Sequence, residues 1–250
     1  RIMGVFQNNL LAGAAAAASA GGAAFYDYQI EQSIRIDRGS TSYLSGPTMS
    51  STNNTQYSLS FWVKRGDLGT YSPVTGSSGG GHNLVFNTDN TFEVASFGYL
   101  DNSTKVYRDI GGWYHFFIYW GTSNGSGQVY VNGVQVTLST NTAGGVGYFV
   151  NGSKIQIGAS NNGTYMFDGY IAEVLAFYDQ QKAHTDFGEF KNGVWIPKEY
   201  TGSFGNSRDF HLKFENSGDL GNDSSGNNND FTSTNMGADH QVLDSPTFGS

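Results

Sequence analysis

Four short runs of strand-forming residues, separated by loops rich in Gly, Ser, Asn and Thr, constrain the fold of this chain most. They are YSLSFWVKR at 57–65, GGWYHFFIYW at 111–120, VYVNGVQV at 129–136 and DGYIAEVLAF at 168–177. Aromatic side chains stand at inner positions of these runs, where strand pleating turns alternate residues to one face. The 35 glycines, 18 Phe and 15 Tyr of the 250-residue chain also favour strands and tight turns. We therefore predict an all-β fold, a two-sheet antiparallel jelly-roll sandwich.

Two of these runs carry more specific signals. Asn132-Gly133 is a two-residue turn whose residues both accept positive φ, so residues 129–138 are predicted to form a hairpin. The run 113–120 contains almost no polar side chain except His115, which indicates a central strand buried on both faces. We interpret His115 as a hydrogen-bonded core residue rather than a catalytic one. The tryptophans predicted to be buried are Trp62 and one of Trp113 or Trp120.

The chain divides by composition into three segments. Residues 1–28 are rich in Ala and Gly, residues 29–186 form the predicted jelly roll, and residues 187–250 form a C-terminal extension that packs on or extends it. Ala favours helix in the first segment, but its glycines limit a helix to about two turns, which is marginal alone in water. Three interpretations stay open for this segment: a flexible tail, an anchor or oligomerisation segment held by neighbouring subunits, and a membrane-active peptide. We favour the second.

Charge and cysteine content argue against several classes of function. The formal net charge is −8 and no run of basic residues occurs, so we expect no nucleic-acid partner. The chain has no cysteine, which excludes a disulfide framework, thiol catalysis and thiolate metal sites. No apolar run reaches the roughly 18–20 residues of a membrane-spanning helix, so no stable membrane span is expected.

Several motifs resemble the concanavalin A-like (laminin G-like) jelly-roll structural proteins of marine tailed bacteriophages. They are SIRI at 33–36, SYL at 42–44, FWVKRG at 61–66, WYH at 113–115, VNG at 131–133, GYIAEV at 169–174, DFGE at 186–189, GVWIPK at 193–198 and DSSGN at 223–227. The resemblance covers residues 29–246, most of the chain. It implies a concanavalin A-like, lectin-like module carried on the virion, at the particle surface or on the tail.

From this resemblance we expect a non-enzymatic virion structural protein, on a tail fibre or as a capsid decoration, that displays the lectin-like module outward. Residues 1–28 would contact other virion proteins, and we expect a homo-oligomer. The alternative is an adhesin that binds a host surface glycan. A more distant alternative is a glycan-degrading tail spike. The structural and adhesin roles can coexist.

The acidic residues do not show the pattern of a glycoside hydrolase. Such enzymes need two carboxylates facing one cleft, and glucanases of this fold carry them on one strand as E-x-D-x-x-E, a pattern absent from this sequence. Asp168 and Glu173 are five residues apart, so pleating turns them to opposite faces of a strand. The five histidines are scattered and lack metal-ligand spacing. We therefore predict no catalytic residues.

Oxygen-bearing side chains crowd into one stretch of the extension. Calcium prefers hard oxygen ligands from Asp, Asn and backbone carbonyls. Asn, Asp and Gly also dominate ordinary turns, so a turn and a calcium site both stay open, and no EF-hand spacing is present. The candidate calcium ligands are Asp219, Asn222, Asp223, Asn227 and Asp230. No other cofactor is indicated.

Sugar binding requires aromatic faces that stack on pyranose rings and a few amide or carboxylate groups that bond to hydroxyls. Tyr165 and Phe167 lie beside the polar stretch Asn161-Asn162-Gly163, directly before a predicted strand. The alternative role of an exposed Tyr is a packing or subunit contact. We predict a carbohydrate-binding rim formed by Asn161, Asn162, Tyr165 and Phe167.

Overall fold

A computed structural model describes residues 25–48, 56–96, 99–122, 126–139 and 152–247. Most of the Ala-rich segment predicted to be an anchor, residues 1–24, lies outside the described residues. In the described ranges, none of the helices has the length and apolarity needed to cross a membrane.

The described residues form nineteen strands and two short 3-10 helices, the latter at His184–Asp186 and Ala238–His240. The strands are β1 (Ser33–Ile36), β2 (Tyr43–Thr48), β3 (Tyr57–Arg65), β4 (Ser72–Ser77), β5 (His82–Phe86), β6 (Phe92–Ser96), β7 (Tyr99–Asn102), β8 (Tyr114–Trp120), β9 (Gln128–Val131), β10 (Val134–Gln135), β11 (Lys154–Ile157), β12 (Ala159–Ser160), β13 (Tyr165–Met166), β14 (Gly169–Tyr178), β15 (Gly188–Lys191), β16 (Val194–Pro197), β17 (Phe210–Leu212), β18 (Thr232–Thr234) and β19 (Gln241–Val242).

The strands build two large antiparallel sheets that face each other. One sheet has the order β10-β9-β8-β3-β14-β1-β19, with β17 also paired to β14, and the other has the order β18-β2-β11-β4-β5-β6-β7. Two small hairpins, β12–β13 and β15–β16, stand apart from both sheets. The predicted all-β, two-sheet jelly-roll sandwich is confirmed.

The main core lies between the two sheets and follows the period of two in β3 and β8. Leu59 and Phe61 of β3 face this core together with Phe116 and Trp120 of β8. Phe117 follows Phe116 in β8, so its side chain points to the opposite side of the sheet and joins a second apolar cluster. The prediction that 113–120 includes a strand buried on both faces is thereby confirmed.

The C-terminal extension adds to both sheets and covers part of one. Strands β17 and β19 join the eight-stranded sheet, and β18 pairs with β2 of the other. Phe187, Tyr200 and Phe204 pack on Phe177, which lies on the outer face of the eight-stranded sheet. The extension therefore buries part of a sheet face that would otherwise expose aromatic side chains to water.

The two hairpins whose loop consists of an Asn-Gly pair alone use the same turn chemistry. Asn132 and Gly133 have φ of 48° and 76°, and Asn192 and Gly193 have φ of 53° and 82°. These are the positive values of a type I′ turn, whose twist matches that of the flanking strands. The predicted hairpin at Asn132-Gly133 is confirmed, and the second hairpin, β15–β16, was not predicted from the sequence.

The tryptophan prediction is also confirmed. Trp62 is 5% exposed and Trp120 is fully buried, whereas Trp113 is half-buried. Trp120 packs between the sheets, but Trp62 lies on the outer face of β3 under the extension. The half-buried position of Trp113 marks the border where the extension stops covering the sheet.

Candidate functional site

A cleft of about 530 Å³ opens at this border, between the outer face of the eight-stranded sheet and the hairpin β15–β16. Its size falls in the range of ordinary ligand pockets. The residues that line it are Tyr26, Trp62, Lys64, Gly111, Trp113, Asn132, Phe190, Gly193, Val194, Trp195, Asp244, Ser245 and Pro246.

Aromatic side chains from three elements form the walls of the cleft. Trp62 occupies an outward position of β3, Trp113 lies directly before β8, and Trp195 is in β16. Phe190 of β15 is 56% exposed and meets the ring of Trp195 edge to face, with 5.0 Å between centroids. Exposed aromatic faces beside polar groups suit a ligand that has both an apolar face and a hydroxylated edge.

A buried hydrogen-bond chain holds Trp195 in this wall. The indole nitrogen of Trp195 donates to Nδ1 of His115 at 3.0 Å, and Nε2 of His115 lies 2.9 Å from Oγ of Ser60. Because an indole N–H can only donate, Nδ1 must be the acceptor, so the proton sits on Nε2 and points at Ser60. Burial lowers the pKa of His115 to about 3, which keeps the ring neutral. The interpretation of His115 as a hydrogen-bonded core residue is confirmed.

The backbone of the same histidine orients Asn132 at the edge of the cleft. The N–H of His115 donates to Oδ1 of Asn132 at 2.7 Å. This bond leaves Nδ2 of Asn132 without a partner in the described part of the chain. An amide nitrogen carries two donor hydrogens, so Asn132 presents donors to a ligand in the cleft.

Asp244 of the extension also lines the cleft. One carboxylate oxygen accepts a hydrogen bond from the indole nitrogen of Trp113 at 3.1 Å, and the other accepts from Nζ of Lys64 at 2.7 Å. The side chains of Lys64 and Asp244 are only 12% and 20% exposed, so the ion pair is partly desolvated. Pairing of β19 with β1 brings this part of the extension to the sheet.

The structure brings three of the four predicted sugar-binding residues together, at the turn between β12 and β13. Asn161 and Asn162 both have positive φ, and Tyr165 is half-exposed with its ring 5.5 Å from that of Tyr71. Phe167 is fully buried in the main core, so its placement on the rim was wrong: it cannot stack on a sugar. The chain turns at Gly158 and Gly169 on either side, and counting positions from a turn does not predict which face Phe167 takes. The other three residues stay a prediction.

Next to Tyr165, three polar side chains are joined in sequence. The hydroxyl of Tyr71 lies 2.9 Å from Nδ1 of His82, and Nε2 of His82 lies 2.5 Å from the carboxylate of Glu93. These three hydrogen-bonded side chains belong to the seven-stranded sheet and the loop before it, and none of them lines the cleft.

The candidate calcium ligands act as turn residues. Both carboxylate oxygens of Asp223 accept hydrogen bonds, from the backbone N–H of His211 and Ser225 on one oxygen and from Asn229 N–H and Ser225 Oγ on the other. The carboxylate of Asp230 accepts from the N–H of Asp223, and that of Asp219 accepts from the N–H of Gly221. The N–H of Asn222 donates to the carbonyl of Asp219, and Nδ2 of Asn227 donates to the carbonyls of Asn206 and Asp209. These bonds support the turn interpretation. Across the described ranges, no group of three or more His, Asp or Glu side chains could hold a metal ion.

Asp168 and Glu173, the two carboxylates expected on opposite faces of one strand, lie in different surroundings. Asp168 precedes β14 and forms an ion pair of 2.8 Å with Arg35. Glu173 is buried, and one of its oxygens accepts hydrogen bonds of 2.7 Å from Tyr28 and from His211. Its φ of 50° marks a bulge at the point where the edge partner of β14 changes from β1 to β17. No sequence signal indicated this bulge.

Comparison with known proteins supports the fold. A family model described as the concanavalin A-like lectin/glucanases superfamily, of the laminin G type, matches residues 38–184. No curated protein sequence matches the chain. The match includes β2 through β14, so it contains Trp62, Lys64, Trp113 and Asn132 but not the hairpin β15–β16 or Asp244.

Several solved structures are similar to this chain at low sequence identity. A proposed carbohydrate-binding protein from Bacteroides ovatus is 18% identical with a TM-score of 0.50, over 63% of this chain and 46% of its own. A SAP-like pentraxin from Limulus polyphemus is 15% identical with a TM-score of 0.43, over 62% and 80%. The sialidase of Trypanosoma rangeli is 18% identical with a TM-score of 0.40, over 53% and 22%. This chain thus spans less than half the length of the Bacteroides protein, and the likeness to that protein shows the fold alone.

Proposed function

The chain belongs to the concanavalin A-like lectin/glucanases superfamily, and from that premise we propose that it binds a glycan in the cleft without cleaving it. The observation that carries the proposal is the position of Trp113. Its indole nitrogen is fixed by Asp244 while its ring lines the cleft, which the amide nitrogen of Asn132 also lines.

This arrangement matches what a pyranose ring offers. The axial C–H groups of a sugar form an apolar face that an aromatic ring can cover, and the hydroxyls along its edge need hydrogen-bond partners. Trp113 and Phe190 supply aromatic surface, and Asn132 supplies donors. The buried hydrogen bond between Trp195 and His115 fixes this wall before a ligand binds, so binding costs little side-chain entropy there.

The carboxylates support binding without hydrolysis. Glycoside hydrolases need two carboxyl groups about 5–5.5 Å or about 6.5–9.5 Å apart around one bond. Among the described residues, Asp244 is the single carboxylate that lines the cleft, and both of its oxygens already accept hydrogen bonds. Glu173 faces a different pocket, together with Tyr28 and Lys213.

A glycan array probed with the full chain tests the proposal, combined with an assay for released reducing sugar on the glycans that bind. We expect retention of at least one glycan and no release of reducing ends. Release that disappears on a carboxylate-to-amide substitution would instead favour the glycan-degrading alternative. Absence of binding to bacterial surface polysaccharides and to the array would contradict the proposal.

We also propose that the protein is a structural component of a tailed-bacteriophage virion, on a tail fibre or as a capsid decoration. The support is the set of motifs shared with such proteins, which runs from SIRI at 33–36 to DSSGN at 223–227. In this role residues 1–28 attach copies of the chain to other virion proteins, and the cleft faces outward as an adhesin for a host surface glycan. Mass spectrometry of purified particles, followed by a density map of the particle, tests the location.

A further inference from the structure

We infer that the cleft selects neutral glycans and discriminates against glycans that carry carboxylate or sulfate groups. This inference rests on the proposed glycan-binding function and concerns the chemical class of its ligand. It follows from how the charged groups in and around the cleft are paired.

The only cation that lines the cleft among the described residues is Lys64, and it is already neutralised. Its Nζ lies 2.7 Å from Asp244, and both side chains are largely buried. An acidic sugar that approached Lys64 would also meet the carboxylate of Asp244, which lies 2.7 Å from the same ammonium. Repulsion by Asp244 would offset the attraction of Lys64, and displacing Asp244 instead would leave that carboxylate partly buried without a counter-charge, which is strongly unfavourable.

The cations at the margin of the cleft are paired as well. Lys191, beside Phe190, lies 3.0 Å from Asp27, and Arg35 lies 2.8 Å from Asp168. Lys64 and Arg35 also flank the ring of Tyr170, at 5.5 and 5.3 Å from its centroid. No unpaired cation is therefore presented to a ligand by this part of the described surface.

The remainder of the chain does not change this balance. Of the residues that the structure does not describe, Arg1 alone carries a charge. The net charge of −8 repels a polyanion at long range. The free donors of Asn132 are uncharged and suit hydroxyl or acetamido oxygens, so the cleft has the chemistry of a site for neutral hexoses or acetamido sugars.

The test compares the full-length protein on neutral glycans and on the same glycans extended with a uronic or sialic acid. We expect the neutral member of each pair to bind at least about tenfold more tightly, and its Kd to change less than about twofold between about 50 and about 500 mM NaCl, because no net charge is neutralised on binding. Preference for the acidic member, with affinity that falls as salt rises, would overturn the inference and leave the proposed function standing. Absence of binding to either member would overturn both.

A variant makes the argument more specific. Asp244→Asn keeps an acceptor for the indole of Trp113 but releases Lys64, so the preference for neutral over acidic glycans should shrink by about tenfold or more. Asp67→Asn, which removes the carboxylate partner of Arg38 at an ion pair that does not line the cleft, is the matched control and should change the preference less than about twofold. An unchanged preference in a folded Asp244→Asn protein contradicts the inference. If that variant does not fold, the wild-type comparison decides alone.

Discussion

The indole nitrogen of Trp113 donates a hydrogen bond of 3.1 Å to Asp244, which lies 131 residues further along the chain. Trp113 belongs to the part of the chain that matches the superfamily, residues 38–184, and Asp244 belongs to the extension that follows it. The cleft is thus lined both by residues that match the superfamily model and by residues of the extension.

Loss of the Trp62 side chain should destabilise the whole sandwich, because it removes a buried contact between β3 and Trp195 of the extension. We expect Trp62→Ala to lower the free energy of unfolding by about 3–5 kcal/mol in denaturant titrations. Tyr165→Ala, at a half-exposed position, serves as the control and should cost less than about 0.5 kcal/mol. Equal midpoints for Trp62→Ala and the wild type would show that Trp62 is not buried as described.

The two Asn-Gly turns offer a matched pair of substitutions. Gly193→Ala and Gly133→Ala both place a methyl group at positive φ, which costs about 1–2 kcal/mol. The space around Gly193 is open, but a methyl group on Gly133 collides with the indole of Trp195. We therefore expect Gly133→Ala to be more destabilising by a further 1–3 kcal/mol, roughly the cost of overpacking. Equal losses in the two variants, measured by thermal and chemical unfolding, would contradict the packing of Trp195 on this turn.

His115 should make stability depend on pH. Burial lowers its folded-state pKa to about 3, whereas the unfolded chain has the ordinary value of about 6.5, so the unfolded state binds more protons between these values. Stability is therefore full above pH 6.5 and falls as pH decreases toward 3, with a slope of up to about 1.4 kcal/mol per pH unit from this residue.

The measurement is the free energy of unfolding of the wild type and of His115→Gln from about pH 7 to pH 4.5. Carboxylates contribute equally to both proteins, so the difference in slope isolates His115. The two curves should converge as pH falls. Parallel curves would mean that His115 is not held neutral in the folded state.

The fold was predictable where local patterns carry it. The apolar and aromatic pattern of β3 and β8 predicts where these strands lie and which residues face the core. The Asn132-Gly133 turn predicts the hairpin. Both signals depend on residues only a few positions apart. The same Asn-Gly signal stands at 192–193, where it forms the hairpin β15–β16 that the composition of residues 187–250 does not predict.

The cleft was not predictable from local patterns. It depends on pairs such as Lys64 with Asp244, which are 180 residues apart and meet only because β19 pairs with β1. Phe167 adjoins a polar turn in the sequence, which suggests a surface rim, but its side chain packs in the main core. Glu173 adopts positive φ where the strand paired with β14 changes from β1 to β17, and the residues next to it in the sequence do not predict this change.

Removal of residues 1–24 tests the proposed attachment to a virion. The core clusters of the described residues already join the two sheets and the extension, so the truncated chain should keep the unfolding midpoint and glycan binding of the full chain. It should no longer co-sediment with particles assembled in its presence. Full occupancy of particles by the truncated protein would exclude the role of this segment as an anchor.

Glycan affinity of cleft variants tests the central claim most directly. Phe190→Ala removes a side chain that is 56% exposed, and Trp113→Ala removes the ring held by Asp244, so both should weaken binding of the best array ligand by about tenfold or more. Tyr165→Ala removes a similarly exposed aromatic ring from the rim that the sequence predicts, away from the cleft, and should leave the Kd within about twofold of wild type. Retained affinity in both cleft variants, or loss of affinity in Tyr165→Ala alone, would contradict the assignment of the cleft as the glycan-binding site.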